Sequence, residues 1–196
     1  MHVPLKKLTD YVVALGAARL AHTQGTYLAH AIGVYRDMKS WDADDEVCCA
    51  AFFHSIYGTD TFQDFTLPLD RREELSRLIG DRAERIAYAN SAMKRDSLDA
   101  QIDLEASRYV LDDRITGGAI KLSRVDFDDV VRVHLCDWLE QIERSTRLTW
   151  DYRRVPFRKM AERLGGKPLE AYDQTFAREP RRGVGNASNS PGEQHA

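Results

Sequence analysis

Apolar residues recur three and four positions apart along most of this chain, the spacing of one helix face rather than of a strand. Leu8, Tyr11, Val12, Leu15 and Ala18 mark a first amphipathic helix over Leu5 to Arg19, interrupted by His22-Thr23-Gln24-Gly25-Thr26. A second helix follows from Tyr27 to Met38. A third is capped by Asp44 or Asp45 and runs through Val47-Cys48-Cys49-Ala50-Ala51-Phe52-Phe53. Because that run is apolar nearly all round, the third helix belongs at the centre of the fold.

After a loop over Thr59 to Leu69, Asp70 is expected to cap a charged helix carrying Leu75, Leu78 and Ile79, which Gly80 ends. Asp81 caps the next, whose apolar side includes Ala83, Ile86 and Ala87 and which reaches Met93. The pattern changes over Ser107 to Leu122, where strand formers flank Gly117-Gly118, and a small β-hairpin is predicted. Asp126 or Asp128 then opens a long helix through Val130, Val133, Trp138 and Ile142. Two more helices, around Tyr152 to Leu164 and Pro168 to Phe176, are separated by Gly165-Gly166. The fold class is therefore mainly α, one helical domain over residues 1–177. From Arg178 the apolar period is lost to Pro, Gly, Asn and Ser, which predicts a disordered tail over 178–196.

Composition narrows the partners. With 196 residues and 43% hydrophobic content, the chain is long enough to bury one substantial core. A net charge of −3 supplies no field for polyanions, and the small Arg178, Arg181, Arg182 cluster has no aromatic interleaving, so a small-molecule substrate is expected rather than nucleic acid. Cys48, Cys49 and Cys136 form neither an even disulfide framework nor a CxxC site. No apolar run approaches the ~18 residues of a bilayer span, and Met1 to Lys7 lacks a signal core, so a cytoplasmic protein with no membrane partner is expected. The apolar third helix and Trp138 leave room for a homodimer.

The chemistry-bearing residues sit among apolar neighbours at three separated places: His30 in Tyr27-Leu28-Ala29-His30, His54 after Phe53, and Asp137 between Leu135 and Leu139. An ionised aspartate in such surroundings needs a cation, a donor network or an exposed face. An arginine or a backbone donor on an interhelical seam would also satisfy it.

These segments, with Ile79-Gly80-Asp81-Arg82-Ala83-Glu84-Arg85-Ile86, resemble in order the motifs of the HD superfamily, closest to the hydrolase domain of guanosine tetraphosphate synthetase/hydrolases. The resemblance spans roughly Leu20 to Arg144. The string Phe53-His54-Ser55-Ile56-Tyr57-Gly58-Thr59 further resembles an HD-like family of small bacterial proteins. The resemblance implies an HD-like helical bundle with His30, His54 and Asp137 as metal ligands. It also exposes a departure, because Ser55 stands where the fourth ligand would be an aspartate, and a neutral hydroxyl weakens affinity for hard cations. The acidic pair of the tetraphosphate hydrolases falls on Gly58 and Thr59, which argues against that substrate.

Two histidines and one carboxylate can hold Mn, Fe or Zn, and with Ser55 in place of the fourth ligand the alternative is that no metal binds. His22 and His134 are candidate substitute ligands, and each is equally read as a surface or core histidine. With a metal bound, Asp60 or Glu84 is a candidate base; without one, His54 itself could act as acid or base with Ser55 and Tyr57 orienting it. Ser55, Thr59 and Arg71 are candidate substrate contacts, while Tyr57-Gly58-Thr59 reads equally as a helix terminus. The leading expectation is metal-dependent hydrolysis of a phosphorylated or similar substrate. The alternatives are a non-haem iron oxygenase on the same His/His/Asp set and a non-catalytic sensor or binding protein.

Overall fold

The structure is a computed structural model that describes residues 2–22, 25–145 and 149–180. It is mainly helical with a small hairpin. In order, α1 (Leu5–Ala14), the two-residue strands β1 (Ala21–His22) and β2 (Gly25–Thr26), α2 (Tyr27–Ser40) and α3 (Asp45–Phe52) form the first part. Then follow α4 (Arg72–Ile79), α5 (Asp81–Ala92), α6 (Arg95–Asp99), β3 (Arg108–Asp112), β4 (Ala119–Ser123), α7 (Arg124–Ile142), α8 (Arg154–Leu164) and α9 (Gly166–Ala177). The hairpin is antiparallel, with Arg108 opposite Ser123 and Asp112 opposite Ala119.

Helix α7 runs through the middle, and α2, α3, α5, α8 and α9 pack on it. Along α7, Phe127, Val130, Val131, Val133, Leu135 and Trp138 are all buried. Every residue of α3 from Val47 to Phe52 is buried as well, as its all-round apolar character requires. Both features that left room for a dimer, α3 and Trp138, are thus consumed inside the chain. Among the described residues no helix is long and apolar enough to cross a membrane.

Local chemistry sets the starts of the three helices that carry the candidate ligands. Thr26 Oγ1 accepts from the Ala29 amide at 3.2 Å, Asp44 Oδ1 from Val47 at 2.8 Å, and Ser123 Oγ from Asp126 at 3.1 Å. Ser123, not Asp126 or Asp128, is therefore the cap of α7. Asp126 turns outward to Arg82 and Arg85.

Other boundaries shift for similar reasons. The first helix stops at Ala14 rather than Arg19, since Gly16 adopts φ 75° and breaks the helical path. A 3-10 turn over Leu69–Arg71 precedes α4, and Asp70 makes no capping bond. Gly80, at φ 93°, flanks both α4 and α5, so Asp81 is the first residue of α5 and not its cap. The five-residue α6 is too short to carry a period and escapes prediction. At the C-terminal end Arg178 ion-pairs with Glu143 at 2.6 Å, and the rest of the predicted tail, from residue 181, lies outside the described residues.

Burial pushes the Cys48 and Cys49 thiols up to about 12 and about 11 and raises Cys136 well above its usual value. All three are inert core thiols rather than thiolate ligands.

Candidate metal centre

Three elements far apart in sequence deliver one donor each to a single point. His30 projects from the first turn of α2, His54 from the turn that follows α3, and Asp137 from the middle of α7. His30 Nε2 stands 3.0 Å from Asp137 Oδ1 and 3.2 Å from His54 Nε2, and His54 Nε2 stands 3.3 Å from the same Asp137 oxygen. Three donors about 2.1 Å from one ion, at angles between octahedral and tetrahedral, lie about 3.0–3.4 Å apart. The donor set therefore fits one divalent cation. All three residues are buried.

The outer nitrogen of each imidazole is held so that Nε2 faces inward. His54 Nδ1 lies 2.8 Å from Ala51 O, an acceptor only, so Nδ1 carries a hydrogen and Nε2 is the nitrogen left to face the centre. His30 Nδ1 lies 2.5 Å from Glu140 Oε2, and Glu140 in turn ion-pairs with Arg144. Carboxylate and carbonyl partners of this kind orient metal-bound histidines and raise their basicity. Gly33 makes the contact possible, because a Cβ there would collide with the Glu140 carboxylate.

Burial and charge oppose each other within the cluster. Burial works against a charged His30, yet its hydrogen bonds to Asp137 and Glu140 outweigh that cost and raise its pKa to about 9. Burial likewise works against an ionised Asp137, but His54 and His30 hold its carboxyl well below the usual range. Gln141 Nε2 adds a donor to Asp137 Oδ1 at 2.9 Å. On α5, Asn90 and Ser91 both donate to the His54 carbonyl at 2.9 Å, pinning the turn that presents its ring.

Asp137 and His54 open onto a cavity of about 70 Å³, room for a handful of waters. Ser55 and Thr59 lie on its wall, with the Ser55 hydroxyl beside that of Tyr27. Thr59 spends its hydroxyl oxygen on the Phe62 amide, 3.1 Å away.

Other sequence candidates lie elsewhere. Tyr57 points away, its hydroxyl donating to Glu84 Oε1 at 2.7 Å, so it does not orient His54. Glu84 is occupied by Arg72 as well, at 2.7 and 2.9 Å, and is no free base. Asp60 faces Arg114 at 3.5 Å and is absent from the cavity wall. Arg71 forms a two-pronged pair with Glu74 at 2.8 and 2.9 Å, so it makes no substrate contact in this pocket. The intervening Gly58 serves the turn: it adopts φ 73°, and a Cβ would press on Thr66 Cγ2 at 2.8 Å.

His134 does line the cavity but is not part of the donor set. Its Nε2 accepts from Arg153 Nη1 at 3.0 Å, and burial, with Arg153 beside it, holds its pKa well below the usual histidine range. The side chain of His22 lies outside the described residues.

Glu140 went unrecognised in the sequence, although its position one helical turn beyond Asp137 on α7 is the signal that could have found it. Arg95 and Tyr152, both on the cavity wall, carried no sequence signal.

The family model of a domain of unknown function, DUF6817, matches residues 11–95. No curated protein and no solved structure matches the chain. The segment similar to that domain carries His30, His54, Ser55 and Arg95, whereas Asp137 is supplied from beyond it, by α7.

Proposed function

We propose that this chain is a mononuclear metal-dependent enzyme that hydrolyses a small phosphorylated or similar substrate. The observation that carries the reading is the convergence of His30 Nε2, His54 Nε2 and Asp137 Oδ1 within 3.0–3.3 Å of one another beside a cavity. Three protein ligands leave coordination positions for water and substrate, which separates a catalytic site from a closed structural one. The resemblance of the His30, His54 and Asp137 segments to the HD superfamily supports the same reading. A bound divalent ion supplies Lewis acidity and a water of lowered pKa.

The chain's own residues do the rest. Glu140 and Ala51 O aim the two imidazoles, and Gln141 steadies Asp137. Neutral His134, buried on the cavity wall, offers a polar contact without adding charge. The aromatic wall that includes Phe62, Trp138 and Phe157 restricts water. The proposal places the protein in the cytoplasm, where Cys48, Cys49 and Cys136 stay reduced.

One observation favours a second reading, a non-haem iron oxygenase. Asp137 is the sole carboxylate among the described residues lining the cavity, so no separate acidic base stands by, and two histidines with one carboxylate are the ligands of such iron sites. Elemental analysis of protein purified without chelator separates the readings. Stoichiometric zinc or manganese, lost in His54→Ala and Asp137→Ala, with turnover of phosphate esters, is the expected result. Stoichiometric iron with substrate-dependent oxygen uptake selects the oxygenase. No metal under any loading condition overturns both.

A further inference from the structure

Arg95 is the one cationic side chain among the described residues on the cavity wall, and it has no carboxylate partner there. Its guanidinium donates only to neutral oxygens, Tyr152 Oη at 2.6 Å and Thr61 Oγ1 at 3.2 Å. Asp99, a carboxylate whose charge Arg95 feels, is already engaged by two nitrogens of Arg153. Other partly buried arginines are paired, Arg72 with Glu84, Arg82 with Asp129 and Arg163 with Asp128. A guanidinium held in place by a phenol and a threonine, with no carboxylate in direct contact among the described residues, is a preset anchor for an oxyanion.

The charge count of the pocket agrees. Its formally charged lining groups are Asp137 and Arg95, one of each sign, while His134 is held neutral. A divalent cation on the triad leaves the pocket with excess positive charge, which an anionic ligand would balance. Phe62, Trp138 and Phe157 supply an apolar part of a wall that also carries neutral polar groups, and Trp138 and Phe157 stack at 4.1 Å.

We infer that the cavity beside His54 and Asp137 takes a small organic oxyanion, its charged end anchored by Arg95 and its compact apolar remainder against Phe62, Trp138 and Phe157. This rests on the proposed metal centre for its place in catalysis, but not for its binding chemistry. The shared chemistry of phosphate monoesters and carboxylates is a multi-oxygen anion that a guanidinium meets with two parallel donors.

The test loads the full chain with Mn²⁺ and follows binding of phenyl phosphate, benzoate and neutral benzyl alcohol by calorimetry. Wild type should bind at least one of the anions about tenfold or more tightly than benzyl alcohol. The tighter anion tells phosphate from carboxylate. Arg95→Gln should erase that margin, Arg95→Lys should keep part of it, and Mn²⁺ affinity should stay within about twofold in both. Anion binding unchanged in Arg95→Gln overturns the inference. So does a wild type that fails to prefer either anion over the alcohol, a result independent of whether any variant folds. If Mn²⁺ does not bind, the same titrations on the metal-free chain decide the subsite alone. An Arg95-dependent preference there keeps the oxyanion site and removes the metal centre, and its absence removes both.

Discussion

The Nδ1 of His30 and the Oε2 of Glu140, 110 residues apart in sequence, stand 2.5 Å from each other. That contact fixes which nitrogen of His30 faces Asp137, and it exists because position 33 of α2 is glycine. The order of dependence runs from Gly33 to Glu140 to His30 to the centre.

Glu140→Gln should therefore weaken Mn²⁺ or Zn²⁺ binding by about 10–100-fold while leaving the fold intact, since an outer carboxylate partner is being replaced by a neutral one. Competition with a chromogenic chelator measures it, and an affinity within about twofold of wild type would show that Glu140 does not support the site. Gly33→Ala should displace the same flexible carboxylate, with a similar loss of affinity but little loss of stability, since alanine gains about 0.5–1 kcal/mol over glycine inside a helix. Denaturant midpoints read the second quantity.

Proton release should accompany metal binding. His30, with its pKa raised to about 9, is protonated at pH 7 in the metal-free protein, and a ligating Nε2 must give up that proton. Apparent affinity should thus climb about tenfold per pH unit until pH approaches the raised pKa. Calorimetry in buffers of different ionisation enthalpy counts the protons, and a release near zero contradicts the assignment of His30.

Stability of the chelator-treated protein should depend on pH in a definite sense. A folded-state pKa above the unfolded value means that the His30 contribution is fully present below about pH 6.5 and lost as pH rises through about 9. Asp137 acts oppositely: its lowered pKa contributes stability at pH above the ordinary carboxylate range, which disappears on acidification. Urea unfolding at pH 6.5 and pH 9 should show a lower midpoint at the higher pH, and equal midpoints would refute the charged His30.

Arg153 offers a contrast between side chain and backbone. It bonds His134 and Asp99 from a left-handed conformation, φ 45° and ψ 32°. Arg153→Ala should cost about 2 kcal/mol or more, because Asp99 and His134 lose their partner while the backbone strain remains. Arg153→Gly loses the same contacts but relaxes the backbone, and should be about 1 kcal/mol more stable than the alanine variant. Equal denaturant midpoints for the two would remove the strain.

Helical periodicity made most of the fold legible. The seats of α2 and α3 and the hairpin follow from local spacing, caps and turn residues, because these depend on neighbours a few positions away. Helix α1 ends before its apolar period does, and α6 has none to show, for the same reason in reverse: a left-handed Gly16 and a five-residue helix leave little trace in a periodic pattern.

The candidate ligands were nameable as residue types in apolar surroundings, and for His30, His54 and Asp137 the structure brings the donor atoms together. Tyr57, Asp60, Glu84 and Arg71 lie outside the donor set. Each is near the His54 motif in sequence or of apt chemical type, yet each is engaged by a partner outside the centre.

By itself, then, the sequence determined a mainly helical chain with its apolar third helix inside and two histidines and an aspartate placed where water is scarce. Only the tertiary structure decided which nitrogen of each imidazole faces inward, that Glu140 and Gly33 support His30, and that Arg95 stands on the same cavity bonded to Tyr152 and Thr61. The physical reason is range. Helix propensity and capping are settled within a turn or two, whereas a donor set drawn from α2, the end of α3 and α7 exists only once those elements pack.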